Sequence, residues 1–257
     1  MKRLFLYLIG CFMVSSSFLM VGCKSKSKVT ASETPTTEIK EDKPQSNMSN
    51  EQPVPTTNVK VKMTTTFGEM IIQLYDETPK HRDNFIKLVN EKYYDSLLFH
   101  RCIKGFMIQG GDPNSRNAAP GVQLGVGGPG YTVDAEFNPL LIHKKGALAA
   151  ARQGDMVNPQ KKSSGSQFYI VQGRTMNDAQ IDQMQAYVQQ KNPGFTYTPE
   201  QRELYKTVGG TAQLDMDYTV FGEVIQGLEV IDAINSQPTA PGDRPLQNII
   251  MKIEFVR

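Results

Sequence analysis

The sequence predicts a mainly β protein: an antiparallel sheet, closed on itself or sandwiched, that carries few helices. Three observations point there. From Val59 onward, short runs alternate apolar and polar residues. Glycine-rich turns separate those runs. Only four stretches have apolar residues at helical spacing, and two of them lie together near residues 177–210, as if inserted.

The elements follow in chain order. Residues 1–22 begin MKRLF, with Lys2 and Arg3 before an apolar run to Val21, which is the layout of a secretory signal. Ser15, Ser16 and Ser17 interrupt the run and make it a poor membrane span. It ends in MVGC. A small residue before Cys23 is similar to the lipobox of bacterial lipoproteins, so Cys23 is the expected lipidation site, despite Met20 where leucine is usual and a second short match at Leu8–Cys11. Residues 23–58 are rich in Lys, Ser, Thr, Glu and Pro and hold too few apolar side chains to fold. They read as a flexible tether from a lipid to a domain at 59–257, with a root-mean-square span of roughly 30–35 Å. The expected location is the bacterial cell envelope, lipid-anchored and facing the periplasm.

Within the domain, VKVKMTT and EMIIQLY flank a turn and read as a hairpin. Thr78-Pro79 reads as a helix start, a hydroxyl cap before proline at the first position, with Phe85, Leu88 and Val89 on one face. Strand-like pieces follow at Leu97–Arg101, Phe106–Gln109, Gly146–Ala151, Gln167–Val171 and Tyr218–Val224. Asn177 and the Thr198-Pro199 pair start the two inserted helices, and Gly209-Gly210 closes the second. A short helix with Leu228, Val230, Ile231 and Ile234 precedes a last strand in NIIMKIEFV.

Charge excludes one class of partner. The formal net charge is +2 and comes from Lys2 and Arg3, so the chain after residue 22 is neutral and carries no basic footprint for nucleic acid. Cys11 leaves with the signal and Cys23 takes a lipid. Cys102 then stands alone among aliphatic neighbours, with no histidine placed to activate it, and reads as a core residue. His81, His100 and His143 show no metal-ligand spacing. The glycines of GVQLGVGGPG lack the strand-to-helix context of a phosphate cradle. No metal, nucleotide or organic cofactor is expected.

One stretch combines chemistry with apolar surface: FHRCIKGFMIQGGD, residues 99–112. It resembles the signature of the cyclophilins, a class of peptidyl-prolyl isomerases. The resemblance extends, in order, to LYDETPKHRDNFIKLV at 74–89, GALAAAR at 146–152, SSGSQFYIV at 163–171 and LDMDYTVFGEVIQGLEVIDAI at 214–234. It implies a closed eight-stranded antiparallel barrel capped by two helices, to which the pair around 177–210 is added. It also implies an activity. Amide resonance puts a barrier of roughly 18–20 kcal/mol on rotation about an Xaa-Pro bond. A catalyst need only favour the twisted amide over both planar forms. Twisting leaves a lone pair on the prolyl nitrogen, and proline has no N–H in the way of a donor.

By the resemblance Arg101 is that donor: planar, charged and rich in N–H groups. Phe106, Met107, Tyr169 and Leu214 align with an apolar slot for the proline ring, although periodicity alone would make them barrel core. Gln109 and Gln167 line the groove and can accept from a guanidinium without fixing it in a rigid ion pair. Ala151 and Arg152 align with an edge that pairs with peptide backbone. His100 shapes the groove, since isomerisation moves no proton. Tyr218 stands where histidine is frequent. Tyr169 replaces a frequent phenylalanine, which would put a hydroxyl at the pocket rim. Gln213 stands where many members have a tryptophan that donates to cyclosporin, so cyclosporin binding is expected to be weak. Expected partners are proline-containing unfolded or extended polypeptides, and the membrane through the lipid; the protein is expected to be a monomer. A non-catalytic module that grips proline-containing chains is the alternative, and the helical insertion suits an added recognition role.

Overall fold

The computed structural model describes residues 57–256. The expected signal, the lipidation site Cys23 and almost all of the tether lie outside the described residues. Among the described residues there are eleven strands: β1 (Lys60–Thr65), β2 (Gly68–Leu74), β3 (Leu97–Leu98), β4 (Arg101–Ile103), β5 (Met107–Gly110), β6 (Thr132–Val133), β7 (Ala147–Ala150), β8 (Ser163–Ser164), β9 (Phe168–Val171), β10 (Val220–Gln226) and β11 (Ile250–Phe255). Four helices accompany them: α1 (Pro79–Asn90), α2 (Asp178–Gln189), α3 (Pro199–Thr207) and α4 (Leu228–Asn235).

Nine strands form one antiparallel sheet in the order β3-β11-β1-β2-β10-β7-β9-β5-β4, and β6 pairs with β8 apart from it. This corrects the expected eight-stranded closed barrel: the sheet is curled and open in its hydrogen bonding, with β3 and β4 at its two edges. The physical reason is local. Phe99 and His100 separate β3 from β4 in what reads as one strand; the Phe99 N–H goes to Ile249 O and the His100 N–H to Gln109 O. The segment therefore pairs with β11 on one side and β5 on the other, and no ladder joins its halves.

Alternation explains the packing. In the β1–β2 hairpin Val61 and Met63 face Ile72 and Met70 across the ladder, and all four are fully buried. They join Met251 and Ile253 of β11, Phe85, Leu88 and Val89 of α1, and Val230, Ile231 and Ile234 of α4 in the main core. The helical pair has its own small core of Ile181, Val188, Phe195, Tyr197 and Tyr205 against Ile142 and Ala212.

Both inserted helices start with reciprocal capping boxes, Asn177 with Gln180 and Thr198 with Gln201. The start of α1 differs from expectation. Thr78 occupies the cap position, but its hydroxyl is buried without a partner. Glu136 accepts instead from the N–H groups of Lys80 and His81, at 3.1 and 3.0 Å. A carboxylate at a helix N-terminus meets both the orphan donors and the positive end of the dipole.

Candidate functional site

The site lies on the sheet face opposite the main core. Register sets this: Arg101 pairs with Gln109, Gln109 with Tyr169, and Tyr169 with Ala149. Their neighbours in the chain, Cys102, Ile108, Phe168 and Leu148, point into the core. On the outer face Met107, Tyr169, Val171, Ala147, Ala149 and Val220 form a separate apolar cluster, joined by Phe106, Leu214 and Tyr218. The small side chain of Ala151 leaves room beside this cluster that a larger residue would fill.

That room is a pocket of about 160 Å³ lined by Arg101, Phe106, Met107, Gln109, Ala151, Arg152, Tyr169, Leu214 and Tyr218. Nine of the groove residues named from sequence therefore meet in one place. Two larger depressions, about 570 and 900 Å³, flank it and share Gln109 with it. His100 and Gln167 are not in the pocket wall. His100 lines the first depression and Gln167 the second.

A directed chain of hydrogen bonds orders the polar side. The Arg101 guanidinium donates to Gln109 Oε1 (3.4 Å). Gln109 Nε2 donates to Gln167 Oε1 (3.1 Å), and Gln167 Nε2 to Gly127 O (2.7 Å). Arg101 Nε also lies 3.5 Å from Asp243 Oδ2, with both side chains nearly half exposed. Both contacts of the guanidinium are long, so it keeps donor capacity toward the pocket. Sequence reasoning missed Asp243, which sits in a surface turn with φ +63°, 142 positions from Arg101, and carries no motif.

The Gly110-Gly111-Asp112 turn braces this arrangement. Gly111 has φ +88°, and a Cβ there would stand 2.2 Å from Ser166 O. The buried Asp112 carboxylate accepts from the N–H groups of Gly125 and Gly127, which pins the glycine-rich loop that carries the acceptor for Gln167.

Arg152 stacks on Tyr218, its Cζ 4.4 Å from the ring centre. Its guanidinium is bound by Asp155 (2.6 Å), by Asp217 (3.2 Å) and by Asp217 O (2.9 Å), and its side chain is 3% exposed. The guanidinium is thus fully engaged within the protein. Ala151 spends its own N–H on Gln167 O and its carbonyl on Ser164 N, while the main chain of Arg152 makes no such bond among the described residues.

Tyr169 departs from expectation. It is 4% exposed, and its hydroxyl is not at the rim but 2.9 Å from His143 Nε2, deep behind the pocket. Cys102 is buried, and burial pushes its thiol up to about 12, which fits a core residue and not a nucleophile. Ser163, His81 and Glu136 have the hydrogen-bond order of a nucleophilic triad, at 2.9 and 2.6 Å. Ser163 is 2% exposed, however, and the adjoining cavity of about 10 Å³ has room for at most one water, so this group serves α1. Among the described residues no three His, Cys, Asp or Glu side chains converge as metal ligands.

His100 makes stability depend on pH. It is 4% exposed. Burial drives its pKa down to about 4; Asp112 opposes this, and Arg101 and Arg244 add to it. An unfolded histidine titrates near 6.5, so between roughly 6.5 and 4 the unfolded chain binds a proton that the folded chain does not. Stability is therefore complete above that window and falls as pH drops through it, by roughly 3 kcal/mol for this residue. Urea midpoints at pH 7 and 4.5 should show the fall, and His100→Leu should remove the His100 share of it, leaving the part due to His81, whose pKa burial also lowers.

The chain is similar to known proteins over the same residues. The family model described as cyclophilin type peptidyl-prolyl cis-trans isomerase/CLD matches residues 60–255. A Staphylococcus haemolyticus protein named for peptidyl-prolyl cis-trans isomerase activity is 32% identical over 199 residues, covering 76% of this chain and 89% of its own length. A Streptococcus pyogenes protein named for both phosphatase and peptidyl-prolyl cis-trans isomerase activity is 35% identical over 202 residues; the match spans 76% of this chain and 38% of that longer protein. The crystal structure of a cyclophilin type peptidyl-prolyl cis-trans isomerase from Cryptosporidium parvum superposes with a TM-score of 0.54 at 25% identity, over 77% of this chain and 98% of its own.

Proposed function

The chain belongs to the cyclophilin-type peptidyl-prolyl cis-trans isomerases, and from that membership we propose that it accelerates rotation about Xaa-Pro bonds in envelope proteins, with Arg101 stabilising the twisted amide. The observation that carries this reading is the position of the Arg101 guanidinium. It stands at the wall of a ring-sized pocket whose apolar side is Phe106, Met107 and Leu214, and it is oriented by Gln109, not buried in an ion pair.

The steps follow from the residues. The proline ring enters between Phe106, Met107, Leu214 and Tyr169, an aromatic and thioether surface that binds it in either planar state. The Arg152 main chain holds the preceding backbone in extended form. As the amide twists, charge collects on the prolyl nitrogen, and a guanidinium N–H donates to it. That bond is stronger in the twisted form than in either planar form, so it lowers the barrier and not merely the energy of the complex. His100 takes no part in proton transfer, and its buried neutral ring packs behind Arg101.

The ion pair to Asp243 favours the second reading, a module that holds proline-containing chains without turnover, because it competes for the guanidinium. Two-dimensional exchange NMR of an Xaa-Pro peptide with the full chain separates the two. Accelerated exchange supports the enzyme; binding without acceleration supports the holder. Envelope location rests on the signal-like residues 1–22 and on MVGC. Labelled palmitate should enter the wild type but not Cys23→Ser, and equal labelling of both would remove this part of the reading.

A further inference from the structure

A buried polar chain joins the pocket to the helical insertion. Asp215 is 3% exposed and accepts four hydrogen bonds. Two come from His143, its main-chain N–H at 2.8 Å and Nδ1 at 2.7 Å. The other two come from the hydroxyls of Tyr197 (2.7 Å) and Tyr205 (2.5 Å), which belong to the insertion. The far nitrogen of the His143 ring meets the Tyr169 hydroxyl, and the two rings stack at 12°. Tyr169 is a wall of the proline pocket, and Leu214, the residue before Asp215, is another.

The backbone repeats this connection. Thr211 N–H donates to His143 O at 2.8 Å, and a Cβ on Gly210 would stand 2.3 Å from that same oxygen. At the rim, Lys191, just past α2, reaches Asp217 at 3.2 Å, the carboxylate that also holds Arg152. A helical pair that only padded the sheet would need apolar contact. It would not need two tyrosines to converge on one buried carboxylate whose other partner leads to the site.

We propose that the helical insertion is a positioning element of the proline pocket, acting from Tyr197 and Tyr205 through Asp215 and His143 on the Tyr169 ring and on Leu214. The proposal rests on the site reading above. It adds that the insertion sets the shape of the slot in which the ring turns beneath Arg101. With Nδ1 donating to Asp215, Nε2 is the ring atom left for the Tyr169 hydroxyl, and that bond holds the tilt of the tyrosine ring. The hydroxyl at position 169 is thereby explained: phenylalanine would fill the same slot but would end the chain.

The test is a double-mutant cycle in the full chain, using Tyr197→Phe, Tyr169→Phe and both together. Each removes one hydroxyl and keeps its ring. Tyr197→Phe should lower kcat/KM for Xaa-Pro exchange about fivefold, yet add little to Tyr169→Phe, because the path is already cut. The ¹⁵N signals of the His143 ring should move in Tyr197→Phe, and the affinity for a proline peptide should fall with kcat/KM. These two readouts do not require turnover, so they decide the relay even if the chain only holds peptides. Losses that simply add in the double variant, or kinetic constants and His143 signals unchanged while the melting temperature falls, would overturn the proposal and leave the tyrosines as structural supports.

Discussion

Replacing Arg101 by alanine should lower kcat for Xaa-Pro exchange by about a hundredfold, while the peptide dissociation constant changes only slightly. The size follows from losing one donor aimed at developing charge in a partly desolvated site, roughly 3 kcal/mol. The split between kcat and affinity follows from where that charge arises. A planar prolyl nitrogen is a poor acceptor, so the ground state gains little from Arg101, and the ring is held mainly by Phe106, Met107, Tyr169 and Leu214. Lysine should recover little. Its ammonium keeps the charge but lacks the planar fork that Gln109 orients. Line-shape analysis of a prolyl peptide titrated with each variant yields both constants. A loss confined to affinity would place Arg101 in binding, not catalysis.

The second large effect concerns folding. Asp215→Ala should destabilise the protein by roughly 3–5 kcal/mol, because a buried carboxylate with four donors would be replaced by a methyl group. The His143 ring and two tyrosine hydroxyls would lose their acceptor, in a place water does not readily reach. For a domain of this size that corresponds to a fall in melting temperature of about 6–20 °C. Thermal and urea unfolding measure it directly. A change within about 1 kcal/mol would mean that water replaces the carboxylate, and the site would then be wetter than its burial indicates.

The sequence made parts of this molecule readable and left others dark for identifiable reasons. The β1–β2 hairpin, the four helices and the caps Asn177 and Thr198 follow from local spacing and cap chemistry, which act over three to seven residues. The two-residue strands β3, β6 and β8 do not. Alternation needs more positions than they have, so neither the strand count nor the open ladder at Phe99-His100 could be read. On the sheet face that carries the site, apolar residues alternate with apolar residues. Met107 and Tyr169 face the pocket, while Ile108 and Phe168 face the core. Periodicity cannot tell these apart, and the motif resemblance supplied the distinction. The polar partners were hidden by distance along the chain. Asp243 reaches Arg101, Glu136 caps α1, and Asp215 reaches His143, each across more than 50 positions. Such pairs are decided by topology, and a single sequence shows each partner as an ordinary surface charge.

The account stands or falls on Arg101 preferring a twisted amide. The measurement is the affinity of wild type and Arg101→Ala for two ligands that share the same flanking residues, one with a planar prolyl amide and one with a rigid, twisted analogue of it. The expected result is that wild type binds the twisted ligand about a hundredfold more tightly and that Arg101→Ala binds the two nearly alike. If the variant keeps the full preference, the pocket walls and not the guanidinium select the twisted form, and the proposed mechanism is wrong.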